Sequence, residues 1–156
     1  MKTVLILSDT HGNAKGVADI ADIIRESDYV FHLGDGYNDL NALYPEIKDK
    51  LYRVHGNCDF GSNKEAIVEI EERRIFATHG DLYGVKRGTE RLINKAKSEN
   101  CDICLYGHTH RPEIREEDGI LVINPGTFQR YTAYPTFCYL VINGKKATAV
   151  INDKRR

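Results

Sequence analysis

The chain has 156 residues, 41% hydrophobic and 29% charged, the make-up of one water-soluble globular domain spanning residues 1–156. Its formal net charge of −1 excludes a protein that gathers polyanions through its overall field, so no strong nucleic-acid affinity is expected. No stretch nears the roughly 20 apolar residues that cross a bilayer, and the four cysteines lack the density of a disulfide scaffold, so a reduced, cytoplasmic protein with no membrane partner is expected.

Residues 3–7 (TVLIL) form a short apolar run of the kind that makes a strand buried on both faces. Ser8-Asp9 cuts it off too soon for a signal-peptide core. Asn13 can cap a helix in which Val17, Ile20, Ala21 and Ile24 recur on one face. Residues 29–33 (YVFHL) read as a second strand, which makes the opening a βαβ unit. A loop with a short helix at 39–44 leads to a third strand at 51–54. Residues 66–70 and 73–78 are two further strands, although the turn between them lacks Gly, Asn or Pro. A helix at 89–99 turns Leu92, Ile93 and Ala96 inward and precedes a strand at 102–106. The chain then changes character. Strands at 114–117 and 120–124 flank Asp118-Gly119, and strands at 137–142 and 145–151 flank Asn143-Gly144, two strong hairpin signals. Two face-to-face sheets with helices outside would bury all of this.

Five apolar strands run directly into metal-capable side chains: Asp9-Thr10-His11, Gly34-Asp35, His55-Gly56-Asn57-Cys58-Asp59, His79-Gly80, and Gly107-His108-Thr109-His110. In open α/β sheets ligands bind beyond the carboxyl ends of the strands, so these groups are expected around one crevice. The donors are oxygen and imidazole without a sulfur pair. That favours Mn²⁺ first, with Ni²⁺, Zn²⁺ or Fe as alternatives, over a structural thiolate zinc site. They are too many for one tetrahedral ion and suit two divalent ions sharing a carboxylate, an arrangement that activates water and stabilises displacement at phosphorus.

These segments, taken in order, resemble the successive motifs of the calcineurin-like metallophosphoesterases. The short length and Asn124-Pro125-Gly126-Thr127 after the last cluster resemble the small YfcE-type branch. The resemblance implies a two-sheet αββα sandwich of α/β class, with mixed sheets and C-terminal antiparallel hairpins. It implies a first metal held by Asp9, His11, Asp35 and His110 and a second by Asp35, Asn57, His79 and His108, with Asp35 the bridge. Asp35, Asn57 and His108 are the candidate catalytic residues. The implied activity is hydrolysis of small phosphodiesters by a hydroxide bridging the metals. Two departures bear on substrate choice: Cys58 stands where the larger protein phosphatases have a histidine, and Asp81 where many small relatives have a second one.

Around that set, Asp59 is expected to orient a ligand, and Cys58 and Arg130 to border the pocket. With so short a chain, only the loops 36–50, 60–64, 81–88 and 125–135 are available to shape it, so a broad, shallow site is expected. His32, inside a strand, is expected to be a hydrogen-bonded core group. His55 is balanced between supporting the site and lying at the surface. Cys101-x-x-Cys104 spans a helix end and a strand start, so it is expected to pack and not to carry redox chemistry. Lys154-Arg155-Arg156 is expected to be a frayed tail. The partner expected is a small phosphate-ester substrate, and a homodimer stays open. The rivals are a phosphomonoesterase or protein phosphatase, and a retromer-subunit-like scaffold with vestigial metal binding.

Overall fold

The structure is a computed structural model and describes residues 1–153, so the Lys154-Arg155-Arg156 tail lies outside the described residues. The chain runs through β1 (Lys2–Leu7), α1 (Ala14–Asp19), α2 (Ala21–Glu26), β2 (Tyr29–His32), α3 (Tyr44–Ile47) and β3 (Leu51–Arg53). It continues through β4 (Glu65–Ile70), β5 (Arg73–Thr78), α4 (Glu90–Ser98) and β6 (Ile103–Leu105). The hairpins β7 (Glu113–Glu117) with β8 (Ile120–Asn124) and β9 (Thr136–Asn143) with β10 (Lys146–Asp153) complete it. Short 3₁₀ turns lie at Tyr37–Leu40 and Asp81–Tyr83.

The strands form two mixed five-stranded sheets, ordered β10-β9-β1-β2-β3 and β4-β5-β6-β8-β7. In the first, β1, β2 and β3 are parallel, β9 pairs antiparallel with β1, and β10 pairs antiparallel with β9. In the second, β5, β6 and β8 are parallel, flanked by antiparallel β4 and β7.

Alternation along the strands decides the layers. Val4 and Ile6 of β1 face the second sheet, against Ile75 and Ala77 of β5 and Ile103 and Leu105 of β6. Leu5 and Leu7 point the other way and pack under Val17, Ile20 and Ile24. Phe76 and Cys104 likewise leave the central layer to meet Leu92, Ile93 and Ala96 of α4. The result is α1–α3, sheet, sheet, α4. The central strands are covered on both faces, which is why their apolar runs are nearly continuous. Each large side chain buried this way contributes about 1.5–3 kcal/mol.

Several local expectations shift. The first helix breaks at Ile20 (φ −108°, ψ 18°) into α1 and α2, yet Val17, Ile20, Ala21 and Ile24 still share one buried face. Apolar periodicity reports the face and is blind to a one-residue break. Asn13 caps α1, its Oδ1 accepting from the Gly16 amide at 3.0 Å. The helix expected at 39–44 is displaced: a 3₁₀ turn precedes it, and α3 starts only at Tyr44, with Pro45 inside its first turn. The β4–β5 turn is made by Glu71 at φ +53°, with Glu72 N donating to Gly144 O at 3.1 Å. The neighbouring hairpin thus holds a turn that its own residues do not favour.

Candidate metal centre

Parallel pairing brings the carboxyl ends of β1 and β2 together, and those of β5 and β6. The backbone then closes the crevice. Asp9 N donates to Gly34 O and His11 N to Asp35 O, both at 2.9 Å, and Gly107 N donates to His79 O at 2.9 Å. Two links join the facing sheets: His108 N donates to Asp9 Oδ2 at 3.1 Å, and His79 Nδ1 donates to Leu33 O at 2.7 Å.

Three sets of donor atoms gather here, each within 4.8 Å: Asp9, His11 and His110; His11, Asp35 and Cys58; and Asp35, His79 and His108. Nε2 of His110 lies 3.1 Å and Nε2 of His11 3.7 Å from Asp9 Oδ1, and His11 Nε2 is 3.9 Å from Asp35 Oδ2. Nε2 of His79 lies 3.3 Å from Asp35 Oδ2, 3.9 Å from Asp9 Oδ1 and 3.1 Å from His108 Nδ1.

The bond to Leu33 O fixes more than an orientation. A carbonyl only accepts, so His79 carries its proton on Nδ1 and aims the Nε2 lone pair at two carboxylates and a second imidazole. A cation among these donors, or a proton on His79, is needed to relieve the repulsion. The structure thus fits the divalent ions that the donor types suggest.

Without a cation, protons on the imidazoles take its place. Burial alone would raise the Asp9 carboxyl, but bonds to His11 and His110 and the charge of His79 hold it far below the usual carboxylate range. Asp35 is also lowered against burial, by His79 and by the Cys58 amide, which donates to Oδ1 at 2.8 Å. The bond to Asp9 raises the proton affinity of His11, and Asp35 with Asp9 raises that of His79 against its burial. His108 is pushed down by burial, by His79 and by the nearby charge of Lys86, with Asp81 opposing.

Backbone shape is part of this site. Asp9, His11, Asp35, His108 and His110 all adopt φ between 44° and 69°, a left-handed conformation costing about 1–3 kcal/mol each and tolerated where surroundings over-determine it. Glycines make room for them. A Cβ on Gly56 would lie 2.2 Å from Asp35 Oδ1 and 2.6 Å from Asp35 N, and one on Gly107 would lie 2.7 Å from Asp9 Oδ2.

The supporting residues divide clearly. Asp59 accepts four backbone amides, those of Asp35, Gly36, Tyr37 and Gly56. Asn57 is exposed on the rim, its amide nitrogen 3.7 Å from Cys58 Sγ. Burial and the carboxylates of Asp35, Asp59 and Asp9 push the Cys58 thiol up. His55 stacks on Tyr37 with ring centroids 3.9 Å apart, and its Nδ1 accepts from Asn63 N at 3.1 Å. His32 is fully buried. Its Nδ1 accepts from Gly34 N at 3.1 Å, so Nε2 carries the proton and donates to Thr10 Oγ1 at 2.9 Å, tying the first two donor loops together. Asn124 Nδ2 donates to Gly107 O and Thr109 Oγ1, and Thr127 Oγ1 to Asp9 O, so the 124–127 segment does border the site. Arg130 is exposed, its guanidinium 5.5 Å from the Tyr131 ring, and it lines a cleft with Lys15, Gln129 and Pro135. Cys101 and Cys104 are buried free thiols, both raised by burial.

Some contributors carry no sequence signal. Ser8 Oγ donates to Asp9 Oδ2, and Gln129 Nε2 lies 3.5 Å from His110 Nδ1. The segment 109–115 was not among the loops expected to shape the pocket. With residues 85–90 it lines a cleft of about 710 Å³ beside His108.

Residues 1–147 match the calcineurin-like phosphoesterase superfamily domain. The chain belongs to that superfamily. It is 30% identical to the probable metallophosphoesterase YsnB of Bacillus subtilis, over 97% of this chain and 90% of that protein. It is 29% identical to the phosphodiesterase YfcE of Escherichia coli K12, over 81% and 79%. A crystal structure of a predicted phosphoesterase from Streptococcus pneumoniae superposes with a TM-score of 0.82 at 28% identity, covering 97% of this chain and 89% of the other. Vacuolar protein sorting 29 of Cryptosporidium parvum superposes at 0.75 with 22% identity, over 97% of each chain, and shares the fold alone. Membership makes the chain a phosphoesterase, a hydrolase whose family implies divalent metals. Among the described residues no helix is long and apolar enough to cross a membrane.

Proposed function

We propose that this chain hydrolyses small phosphodiesters with two divalent cations, Mn²⁺ first among them. Asp9, His11 and His110 would hold one ion and Asn57, His79 and His108 the other, with Asp35 shared. The observation that carries this is His79: a ring tautomer locked by Leu33 O presents a bare Nε2 to Asp35 and Asp9. When bound, the cations supply Lewis acidity at the phosphoryl oxygens and lower the pKa of the attacking water. The chain does the rest. Asp59 holds the turn carrying Asp35 through four amides, and Ser8 and the His108 amide hold Asp9. Cys58 lies beside Asp35, its amide donating to Oδ1, and is not assigned the part of nucleophile. The relative named phosphodiesterase supports diesters over monoesters, as does the absence of a histidine at position 58 to protonate an alkoxide leaving group. The free buried thiols of Cys101, Cys104 and Cys138 suit a reducing compartment such as the cytoplasm.

The test is to strip the protein with a chelator, restore Mn²⁺, Ni²⁺, Zn²⁺ or Mg²⁺, and assay bis(p-nitrophenyl) phosphate beside p-nitrophenyl phosphate. Metal-dependent turnover favouring the diester is expected. Turnover of neither ester with any metal would point to a scaffold role.

A further inference from the structure

The cleft of about 710 Å³ beside the donor cluster holds none of the metal-ligating residues, and nothing so far assigns it a task. It opens next to the centre. Thr109, in its wall, stands between His108 and His110, Arg111 follows His110 directly, and Lys86 lies on the His108 side. Its volume falls within the roughly 300–1,000 Å³ of sites that enclose an organic ligand.

Its charges are unevenly committed. Arg115 is engaged by Glu113, Glu117 and the Thr89 hydroxyl, and Glu113 also accepts the Tyr106 hydroxyl. Arg25, Arg73 and Arg74 elsewhere each lie against a carboxylate too. Lys86 and Arg111, by contrast, have no ion pair among the described residues. Glu90 is the one uncommitted carboxylate in the same lining, so the balance left over is positive. Lys86 and Arg111 both line this cleft, and a planar guanidinium and a flexible ammonium are each suited to phosphate oxygens.

We propose that one alcohol of the diester substrate occupies this cleft and carries a second phosphate, which lies between Lys86 and Arg111. This rests on the phosphodiesterase activity proposed above and deepens it, naming the substrate class as diesters of a phosphorylated alcohol. The scissile phosphate belongs to the metal centre, and the second phosphate supplies selectivity.

Thymidine 5′-(p-nitrophenyl phosphate) and its 3′-phosphorylated counterpart release the same chromophore and differ by one phosphate. At matched Mn²⁺ loading, kcat/KM for the 3′-phosphorylated compound is expected to be about tenfold higher, the order that two exposed charge contacts supply. The double variant Lys86→Ala/Arg111→Ala is expected to bring the ratio close to one, and Lys86→Glu to lower it further. Both side chains are exposed, so melting curves are expected to match wild type. Equal kcat/KM for the two compounds in wild type, or a preference that survives in the double variant, overturns this inference while leaving the phosphodiesterase proposal standing. Failure of the Mn²⁺-loaded wild type to cleave either compound removes both.

Discussion

Asp59 carries the turn that presents Asp35, and replacing it with asparagine tests how much the centre depends on that support. Oδ2 accepts the amides of Asp35 and Gly56, each at 2.8 Å, and Oδ1 accepts those of Gly36 at 3.0 Å and Tyr37 at 3.2 Å. Asp59→Asn keeps shape and volume but has one accepting oxygen, so its NH₂ must face two backbone donors. Two hydrogen bonds to a charged acceptor are lost, each typically worth about 1.5–3 kcal/mol. Asp59 is partly solvated, and water recovers some of this, leaving a net cost of about 2–4 kcal/mol. A chain of this length should then melt roughly 5–15 °C lower in the metal-free state. Because the turn positions a metal ligand, affinity for Mn²⁺ should fall by about 10–100-fold. Thermal melts of the chelated protein and calorimetric Mn²⁺ titrations measure the two effects. A variant that melts with wild type and binds Mn²⁺ as tightly would show that the four amides do not hold Asp35 in place.

Cys58→Ala should keep most of its turnover on an aryl diester, since a nitrophenolate leaves without a proton. Loss on the scale of a general acid, about 10²-fold or more, would put the thiol in the chemistry. Replacing both Cys101 and Cys104 with Ala should lower stability by roughly 1–3 kcal/mol of packing and leave metal-loaded activity intact, and a folded, loaded and inactive double variant would contradict this. Burial lowers His32 from 6.5 to about 4, so between those values the unfolded chain binds the extra proton and wild type loses stability as pH falls. Measured without metal, the stability gap between wild type and His32→Asn should narrow by roughly 3 kcal/mol from pH 7 to pH 4. A gap that stays constant would mean that His32 titrates normally.

The layers and the place of the site were legible because their signals are local. Val4 to Leu7 report a doubly covered strand in four residues, and every donor lies one to five residues past the end of the strand that delivers it. Asp118-Gly119 and Asn143-Gly144 likewise announce their own hairpins, with positive φ at Asp118, Gly119 and Gly144. What escaped depends on partners distant in sequence. Glu71 turns because Gly144 meets it, and the Leu33 carbonyl matters only because β2 lies across from His79. The cleft walled by residues 85–90 and 109–115 brings together segments distant in sequence, linked by Arg115 donating to the Thr89 hydroxyl, and no periodicity in either segment points to it.

The central claim is that seven side chains hold two cations through a shared Asp35, and that hydrolysis needs both. Its most direct test titrates chelated protein with Mn²⁺ while following metal bound per chain and turnover of bis(p-nitrophenyl) phosphate, for wild type and Asp35→Asn. Wild type should bind two equivalents and gain its turnover only as the second binds, while Asp35→Asn should stay folded, fail to fill both sites and remain inactive. Full wild-type turnover at one equivalent, or an Asp35→Asn variant with wild-type metal content and activity, would contradict a dinuclear centre bridged by Asp35.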